Sequence, residues 1–337
     1  MSILSRKIGI DLGTSTVLIY VKGDGIVVNE PSFVAVDRDG TRILAVGKQA
    51  FDMVGRAPES MQLLRPMREG AIADLALTER MLHHLVGKVQ GRQRLFKPEI
   101  MICVPSGVTS VERRAVTEAA ISAGARQAWL IDEPLAAAMG AGLPIAQPRG
   151  HAICDIGGGT TEIAVISLSG MVVAHSIRVG GNRIDDAIAT YMKRKRNLLI
   201  GERSAEEVKI AVGSAVPIEE PMLAEVRGQD LVTGLPRSVE ISSNDVAEAI
   251  QEPLRLIAGA VRDVLEQTPP ELAAGIFDRG IVLSGGGAQL RGIDRYLSMH
   301  TGIPAVVADD PQTAVVRGTG LALEQFEVLK RNQSYLR

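Results

Sequence analysis

The stretch Ile8-Gly-Ile-Asp-Leu-Gly-Thr-Ser-Thr16 decides the predicted fold. Apolar residues that lead to Asp11 indicate a buried strand, Gly13 indicates a tight turn, and residues 17–21 indicate a second strand. The pattern is that of a glycine hairpin whose first strand ends in a carboxylate.

A second copy of this hairpin pattern, Ala152-Ile-Cys-Asp-Ile-Gly-Gly-Gly-Thr-Thr161, lies about one domain length further along the chain. Here an apolar strand ends in Asp155, glycines and hydroxyl residues follow, and residues 162–166 indicate the second strand. An internal repeat of this kind predicts two related halves, each of which offers one hairpin to a shared cleft.

Short apolar runs alternate with helical patterns along the chain, which predicts an α/β fold with a largely parallel core sheet. Two capping boxes, Thr109-Ser-Val-Glu112 and Ser204-Ala-Glu-Glu207, predict helix starts. We expect Asn244 to cap a long helix that ends near Glu266.

The composition is that of a two-domain globular protein, with 337 residues of which 46% are hydrophobic and 23% charged. The 37 basic and 39 acidic side chains give a net charge of -2, which argues against a general nucleic-acid binder. No apolar run reaches the roughly 18 residues that a membrane span needs, and the first residues lack the apolar core of a signal peptide. We therefore expect a cytoplasmic protein without nucleic-acid partners.

Both hairpins have the composition of a phosphate site. The N–H groups of a glycine turn point into one concavity that no side chain blocks, and hydroxyl groups add donors. The candidate ligands are Gly13, Thr14, Ser15 and Thr16 in the first hairpin and Gly157, Gly158, Gly159, Thr160 and Thr161 in the second. Either hairpin alone could be only a tight turn, but two copies favour a nucleotide clamped between them.

Asp11 and Asp155 end their strands directly before the two turns. Two carboxylates beside a polyphosphate indicate Mg²⁺, which keeps several water ligands and takes few from the protein. Each aspartate is also suited to capping its own turn, and one role does not exclude the other.

A third glycine cluster, Ile281-Val-Leu-Ser-Gly-Gly-Gly-Ala-Gln289, follows a predicted strand and offers bare backbone to a base or ribose. It completes neither the dinucleotide fingerprint nor the P-loop pattern. By itself it is therefore a weak signal for a nucleotide.

Glu133 lies between a predicted buried strand and a helix start at Pro134. An acid at this position stabilises the helix dipole, and that role alone would account for it. The alternative is that Glu133 faces the cleft and orients a water molecule for attack on the terminal phosphate, a reaction that depends mainly on positioning and charge.

The segment Arg92-Gln-Arg-Leu-Phe-Lys97 combines basic residues with an apolar tip. Leu95 and Phe96 are candidates for insertion into a membrane surface, and burial inside the protein is an equal alternative.

The motifs Asp11-Leu-Gly-Thr14, Asp155-Ile-Gly-Gly-Gly-Thr160 and Leu283-Ser-Gly-Gly-Gly287 together resemble those of the superfamily of actin, sugar kinases and heat-shock chaperone ATPases. Within it, nearly the whole chain is similar to the bacterial actins of the MreB family. Further segments that carry this resemblance are Gly25-Ile-Val-Val-Asn-Glu-Pro-Ser32, Arg65-Pro-Met67, Val104-Pro-Ser106, Val111-Glu-Arg-Arg114, Asp132-Glu-Pro134, Ile200-Gly-Glu-Arg203, Thr233-Gly-Leu-Pro-Arg237 and Thr268-Pro-Pro-Glu-Leu272.

The resemblance implies an actin-like ATPase fold of class α/β, in which two duplicated ribonuclease-H-like lobes with four subdomains surround a cleft for ATP and Mg²⁺. Domain I would comprise residues 1–143 and 316–337, with a small subdomain at about 34–75. Domain II would comprise residues 144–315, with a small subdomain at about 186–251.

The resemblance also implies roles for single residues. Glu133 and Thr160 match the pair that positions the hydrolytic water. The residues that match the adenosine side of the cleft are Glu206, Glu207, Lys209, Gly285, Gly286, Gly287, Ala288 and Gln289. Because Glu207 also occupies a capping-box position, Glu206 and Lys209 are the preferred contacts. Ser15-Thr16 replaces the Ala-Asn that is common in the family, so the rate and the nucleotide preference are open to change.

The function implied by the resemblance is that of a slow ATPase coupled to polymerisation. Such a protein forms paired filaments with itself on the inner face of the cell membrane, and with the proteins of cell elongation it organises peptidoglycan synthesis and rod shape. The alternative is a metabolic phosphotransferase of the same superfamily, which would need a sugar-binding acid and would remain a monomer or dimer.

Overall fold

The computed structural model describes residues 5–90 and 97–326. The elements of the first lobe are β1 (Lys7–Leu12), β2 (Thr16–Val21), β3 (Gly25–Pro31), β4 (Val34–Asp37), β5 (Ile43–Val46), α1 (Lys48–Phe51), β6 (Met61–Leu64), β7 (Met67–Arg68), β8 (Ala71–Ile72), α2 (Leu75–Gln90), β9 (Glu99–Val104), α3 (Ser110–Ser122), β10 (Gln127–Asp132) and α4 (Glu133–Gly140).

The second lobe follows directly. Its elements are β11 (His151–Ile156), β12 (Thr161–Ser167), β13 (Gly170–Ile177), α5 (Gly181–Arg196), β14 (Leu198–Leu199), α6 (Glu202–Val212), β15 (Leu223–Asp230), β16 (Pro236–Ser242), α7 (Ser243–Ala249), α8 (Gln251–Glu266), α9 (Pro270–Arg279), β17 (Ile281–Ser284), α10 (Ile293–Thr301) and β18 (Ala305–Val307). The last helix, α11 (Ala314–Glu324), packs back against α4 and β1.

Each lobe contains a five-stranded sheet, and the two sheets have the same topology. The order is β10-β9-β1-β2-β3 in the first lobe and β18-β17-β11-β12-β13 in the second. In the first sheet β1 is parallel to β9 and antiparallel to its hairpin partner β2. In the second sheet β11 is parallel to β17 and antiparallel to its hairpin partner β12. The predicted duplication is therefore confirmed, whereas the prediction of a largely parallel sheet is wrong because a tight hairpin joins only antiparallel strands.

Of the two predicted capping boxes, one is present in the structure. Thr109 caps α3 with the expected capping box. The second box is wrong: α6 begins at Glu202, two residues before Ser204, and has no side-chain cap.

The long helix predicted after Asn244 consists of α7 and α8. Ser242 caps α7 and forms a capping box with Asp245. The Asn244 side chain instead bonds the backbone N–H and carbonyl of Ile218, at 2.9 and 3.1 Å. Two polar residues compete for the cap here, and the tertiary contact of Asn244 decides the outcome.

The lobes are joined by a shared apolar core that includes Met101 and Ile131 from the first sheet and Ile153 from the second. At its centre α4 and α11 cross in backbone contact. A Cβ on Gly140 would lie 1.7 Å from the Ala314 carbonyl oxygen, so only glycine permits this approach. Within the described ranges, no helix has the length and apolar character of a bilayer-crossing segment.

Candidate functional site

The two glycine hairpins have the same backbone geometry. The Gly13 N–H donates to the Thr16 carbonyl at 3.1 Å, and the Gly157 N–H donates to the Thr160 carbonyl at 2.9 Å. Both turns therefore connect their strands with the same number of residues and leave the following N–H groups free to face a ligand.

The hairpins of the two lobes contact each other. A Cβ on Gly158 would lie 2.0 Å from the Ser15 Oγ, and a Cβ on Gly159 would lie 2.6 Å from the Thr14 Oγ1. The bare backbone of the second hairpin thus makes room for the hydroxyl side chains of the first. Ser15 Oγ also donates to Asn182 Oδ1 at 2.9 Å, at the start of α5.

The apposed hairpins form one wall of a cavity of about 550 Å³. This volume is in the range of small-molecule and cofactor sites. The sequence-predicted residues that line it are Asp11, Gly13, Thr14, Ser15, Thr16, Glu133, Asp155, Gly157, Gly158, Gly159, Thr160, Glu206, Lys209, Gly285, Gly286, Gly287 and Gln289.

Three predicted residues do not line the cavity, and two more lie outside the described residues. The Thr161 hydroxyl donates to the Val179 carbonyl oxygen at 2.7 Å and is buried away from the cavity. Glu207 pairs with Arg203 at 3.1 Å on the outer side of α6, and Ala288 is buried in the core of the second lobe. Neither lines the cavity. Leu95 and Phe96 lie outside the described residues.

Three carboxylates, Asp11, Asp155 and Glu133, line the cavity where β1 and β11 end and where α4 begins. Desolvation and the charge of Asp155 raise the pKa of Asp11 to about 7. Desolvation raises the pKa of Asp155 to about 6, and the hydrogen bond that it accepts from Ser284 at 2.6 Å limits this rise. Desolvation and the neighbouring charge of Asp155 hold the pKa of Glu133 well above its usual range. A cation would relieve this mutual repulsion.

Asp11 and Asp155 fit a hydrated Mg²⁺. Their oxygens are the hard donors that this ion prefers, and it commonly takes one or two carboxylates together with water and phosphate oxygens. In the part of the chain that the structure describes, no group of three or more acidic, histidine or cysteine side chains could hold a metal by itself. The two aspartates would therefore share the ion with water or phosphate.

The opposite side of the cavity is formed by α6 and the third glycine cluster. Lys209 Nζ lies 2.8 Å from Asp185 Oδ2 and 3.3 Å from the Gly181 carbonyl oxygen. A Cβ on Gly286 would meet nothing within 4 Å, so this backbone is open to a flat ligand.

Several residues of the site were not predicted from the sequence. Ser284 directly precedes the third glycine cluster and bonds Asp155. Glu162 is fully buried in β12, where its carboxylate accepts from the backbone N–H of Ser106 at 3.0 Å and from the hydroxyls of Ser106 and Ser176. The sequence does contain a signal for Glu162, because a charged residue inside an otherwise apolar strand indicates a buried carboxylate with polar partners.

The duplicated sheets and the cleft between them define the class of protein, which is an actin-like α/β fold with a nucleotide-sized site. The crystal structure of MreB5 of Spiroplasma citri bound to ADP superposes with a TM-score of 0.92 and 37% identity over 97% of this chain and 99% of that one. The structure of the same protein bound to AMPPNP gives a TM-score of 0.90 over 98% and 99%.

Sequence comparison specifies the family. The model of the MreB/Mbl protein family matches residues 5–331. The cell shape-determining protein MreB of Escherichia coli (strain K12) is 52% identical over 329 residues, which are 96% of this chain and 95% of that protein. The chain belongs to the MreB/Mbl family.

Proposed function

We propose that this chain is an ATP-dependent, filament-forming cytoskeletal protein that lies on the inner face of the cell membrane and organises cell-wall synthesis, and so determines rod shape. The observation that carries the proposal is the contact of the two hairpins, which makes one phosphate-binding wall from two duplicated lobes. The bound nucleotides of the S. citri relative and the name of the E. coli relative support it.

The nucleotide would bind with its phosphates between the hairpins and its adenosine toward α6 and the third glycine cluster. Backbone N–H groups of Gly158 and Gly159 and the Thr14 hydroxyl are donors available to the phosphates, and the Ser15 hydroxyl would become one on leaving Asn182. Mg²⁺, when bound, would neutralise phosphate charge, and Asp11 and Asp155 would hold its water ligands.

Hydrolysis would depend on Glu133 and Thr160, which both line the cavity. Glu133 begins α4, and the neighbouring charge of Asp155 contributes to its raised pKa. Its carboxyl group would orient the attacking water, and the Thr160 hydroxyl would help to position it. Because few groups take part in the reaction, hydrolysis would be slow, as expected for an ATPase that is coupled to polymerisation.

Self-association is supported by apolar side chains exposed on different parts of the second lobe. Val232 and Leu235, at the β15–β16 connection, are 80% and 65% exposed, and Phe277 and Met299, on α9 and α10, are 64% and 72% exposed. Apolar side chains on different parts of one chain suit head-to-tail contacts, which extend as a filament where the rotation between copies does not close a ring.

The membrane contact and the partnership with the cell-elongation proteins rest on the sequence. Leu95 and Phe96 together would contribute at most about 3–6 kcal/mol on insertion, which is marginal for one subunit. A filament multiplies this attachment through avidity, so membrane binding should follow assembly.

The test is sedimentation and electron microscopy of the purified chain with and without Mg²⁺-ATP, on anionic lipid vesicles. We expect ATP-dependent filaments on the lipid surface. The variant with Leu95→Ser and Phe96→Ser should still polymerise but should not bind vesicles. A chain that stays monomeric or dimeric and phosphorylates a sugar would contradict the proposal and favour the phosphotransferase.

A further inference from the structure

Two segments that carry the family resemblance, Arg65-Pro-Met67 and Ile200-Gly-Glu-Arg203, contribute only Met67 to the lining of the cavity. They belong to different lobes, because Arg65 follows β6 and Glu202 begins α6. The structure brings them together, and the Arg65 guanidinium forms an ion pair with the Glu202 carboxylate across the cleft.

Arg65 has two further contacts. Its guanidinium carbon lies 4.2 Å from the centre of the Phe33 ring. Its Nη1 donates to the carbonyl oxygen of Thr14 at 3.3 Å. The Arg65 side chain is 17% exposed and that of Glu202 is 48% exposed, so the ion pair is shielded from water on its arginine side, where the Phe33 ring covers the guanidinium.

A second arginine approaches the same aromatic pair from the second lobe. Arg203 lies 5.6 Å from the centre of the Phe51 ring, and the Phe33 and Phe51 rings are 5.3 Å apart. Arg65 and Arg203 thus contact two adjacent rings of the first lobe, one arginine from each lobe. We call Phe33, Phe51, Arg65, Glu202 and Arg203 the interlobe latch.

The latch connects two walls of the nucleotide cavity. On one side Arg65 holds the backbone of Thr14, which lines the cavity. On the other side Glu202 and Arg203 form the first turn of α6, whose later residues Glu206 and Lys209 line it. Separation of these walls requires the ion pair and the Arg203–Phe51 contact to break.

We propose that the interlobe latch is a gate on nucleotide exchange: it holds the two walls closed around a bound nucleoside diphosphate or triphosphate, and it opens to release the nucleotide. This proposal rests on the proposed nucleotide-binding function. Because the latch lies outside the residues that line the cavity, its loss should change the rate of exchange without removing any direct contact with the ligand.

The test is the release of a fluorescent ADP from the full chain, chased with excess ATP at a protein concentration below assembly. Glu202→Gln should speed release about threefold to tenfold, since it removes the charge of one partner of an ion pair that is shielded on its arginine side, and such a loss acts mainly on dissociation. Arg65→Gln should have an equal or larger effect. The double variant should be no faster than Arg65→Gln, because both substitutions break the same contact.

A matched control is Arg178→Gln. Arg178 pairs with Glu69 at 3.5 Å across the same two lobes, but both side chains are more than half exposed and neither lines the cavity. Release from this variant should stay within about twofold of the unaltered chain.

Two further measurements keep the proposal open to contradiction if Glu202→Gln or Arg65→Gln folds poorly. Higher salt should speed release from the unaltered chain through screening of the ion pair, and Phe51→Leu should speed it through loss of the ring. The gate would be overturned if neither salt nor Phe51→Leu changes the rate of release. It would also be overturned if every latch variant releases nucleotide at the rate of the unaltered chain. Failure of the unaltered chain to bind ADP would instead overturn the proposed function.

Discussion

The two glycine hairpins share a backbone geometry but differ in what they present to the cleft. The first carries side chains at Thr14 and Ser15, and the second has bare backbone at Gly158 and Gly159. The side chains of the first fill the space that the second leaves empty. Duplication therefore supplied the same turn twice, and the two turns became complementary parts of one site.

The aspartates of the hairpins differ in the same way. Asp155 accepts a short hydrogen bond of 2.6 Å from Ser284 and is in contact with Glu133. Asp11 has a longer contact of 3.4 Å with the Cys103 thiol, a weak donor. The second hairpin is thus fixed next to the proposed catalytic acid, whereas the aspartate of the first hairpin has only a weak partner.

The largest expected effect tests whether hydrolysis belongs to the side of the second hairpin. Glu133→Gln keeps the volume of the side chain but removes the carboxyl group that would accept a proton from the attacking water, so we expect ATP hydrolysis to slow by about a hundredfold or more. ATP affinity should change by less than about threefold, because the amide still fits the cavity. The measurements are phosphate release and equilibrium binding.

The control is Glu225→Gln, a surface carboxylate that pairs with Arg227 and does not line the cavity. Its turnover should match that of the unaltered chain. Equal turnover in both variants would remove Glu133 from the mechanism.

A second prediction addresses the fit between the hairpins. In Gly158→Ala the new methyl group would overlap the Ser15 side chain, so the hairpins must separate. Such overpacking costs about 1–3 kcal/mol. If this cost falls on the closed, nucleotide-bound hairpins, ATP binding weakens by about fivefold to 150-fold.

The matching rescue moves the side chain from one hairpin to the other. In the double variant Ser15→Gly with Gly158→Ala, the nearest remaining atom of residue 15 is its backbone nitrogen at 3.5 Å, an ordinary contact. Most of the lost affinity should return. A double variant that binds as weakly as Gly158→Ala would show that the hairpins do not depend on each other.

A third prediction concerns the two aspartates. Ser284→Ala leaves Asp155 without its hydroxyl partner, and loss of such a supporting bond reduces metal affinity about tenfold. Cys103→Ala removes only a weak donor from Asp11, so we expect a change of about twofold or less. The measurement is the Mg²⁺ concentration that half-saturates ATP binding. Equal effects of the two substitutions would contradict the asymmetry of the aspartates.

The local parts of this site could be predicted from the sequence, and the parts that depend on distant contacts could not. A strand that ends in Asp11 or Asp155 before a glycine turn is a pattern of adjacent residues. The ion pair between Arg65 and Glu202 joins residues of separate lobes, and no spacing indicates it. The predicted cap at Asn244 fails for the same reason, because a contact with Ile218 occupies that side chain.

The smallest expected effect concerns the hydroxyl group of Ser15. Ser15→Ala keeps the Cβ that packs over Gly158 but removes the hydroxyl that donates to Asn182 at 2.9 Å. A half-buried hydrogen bond of this kind contributes about 0.5–1.5 kcal/mol, so ATP binding should weaken about twofold to tenfold.

The Asn182→Ala variant separates the two ways in which Ser15 could act. If the hydroxyl works by tying the first hairpin to α5, Ser15→Ala should have little further effect once Asn182 is gone, because the bond is already broken. If it instead donates directly to a phosphate, the two losses should add. In the first case the hydroxyl fixes the closure of the hairpins, and in the second it belongs with the backbone donors of Gly158 and Gly159.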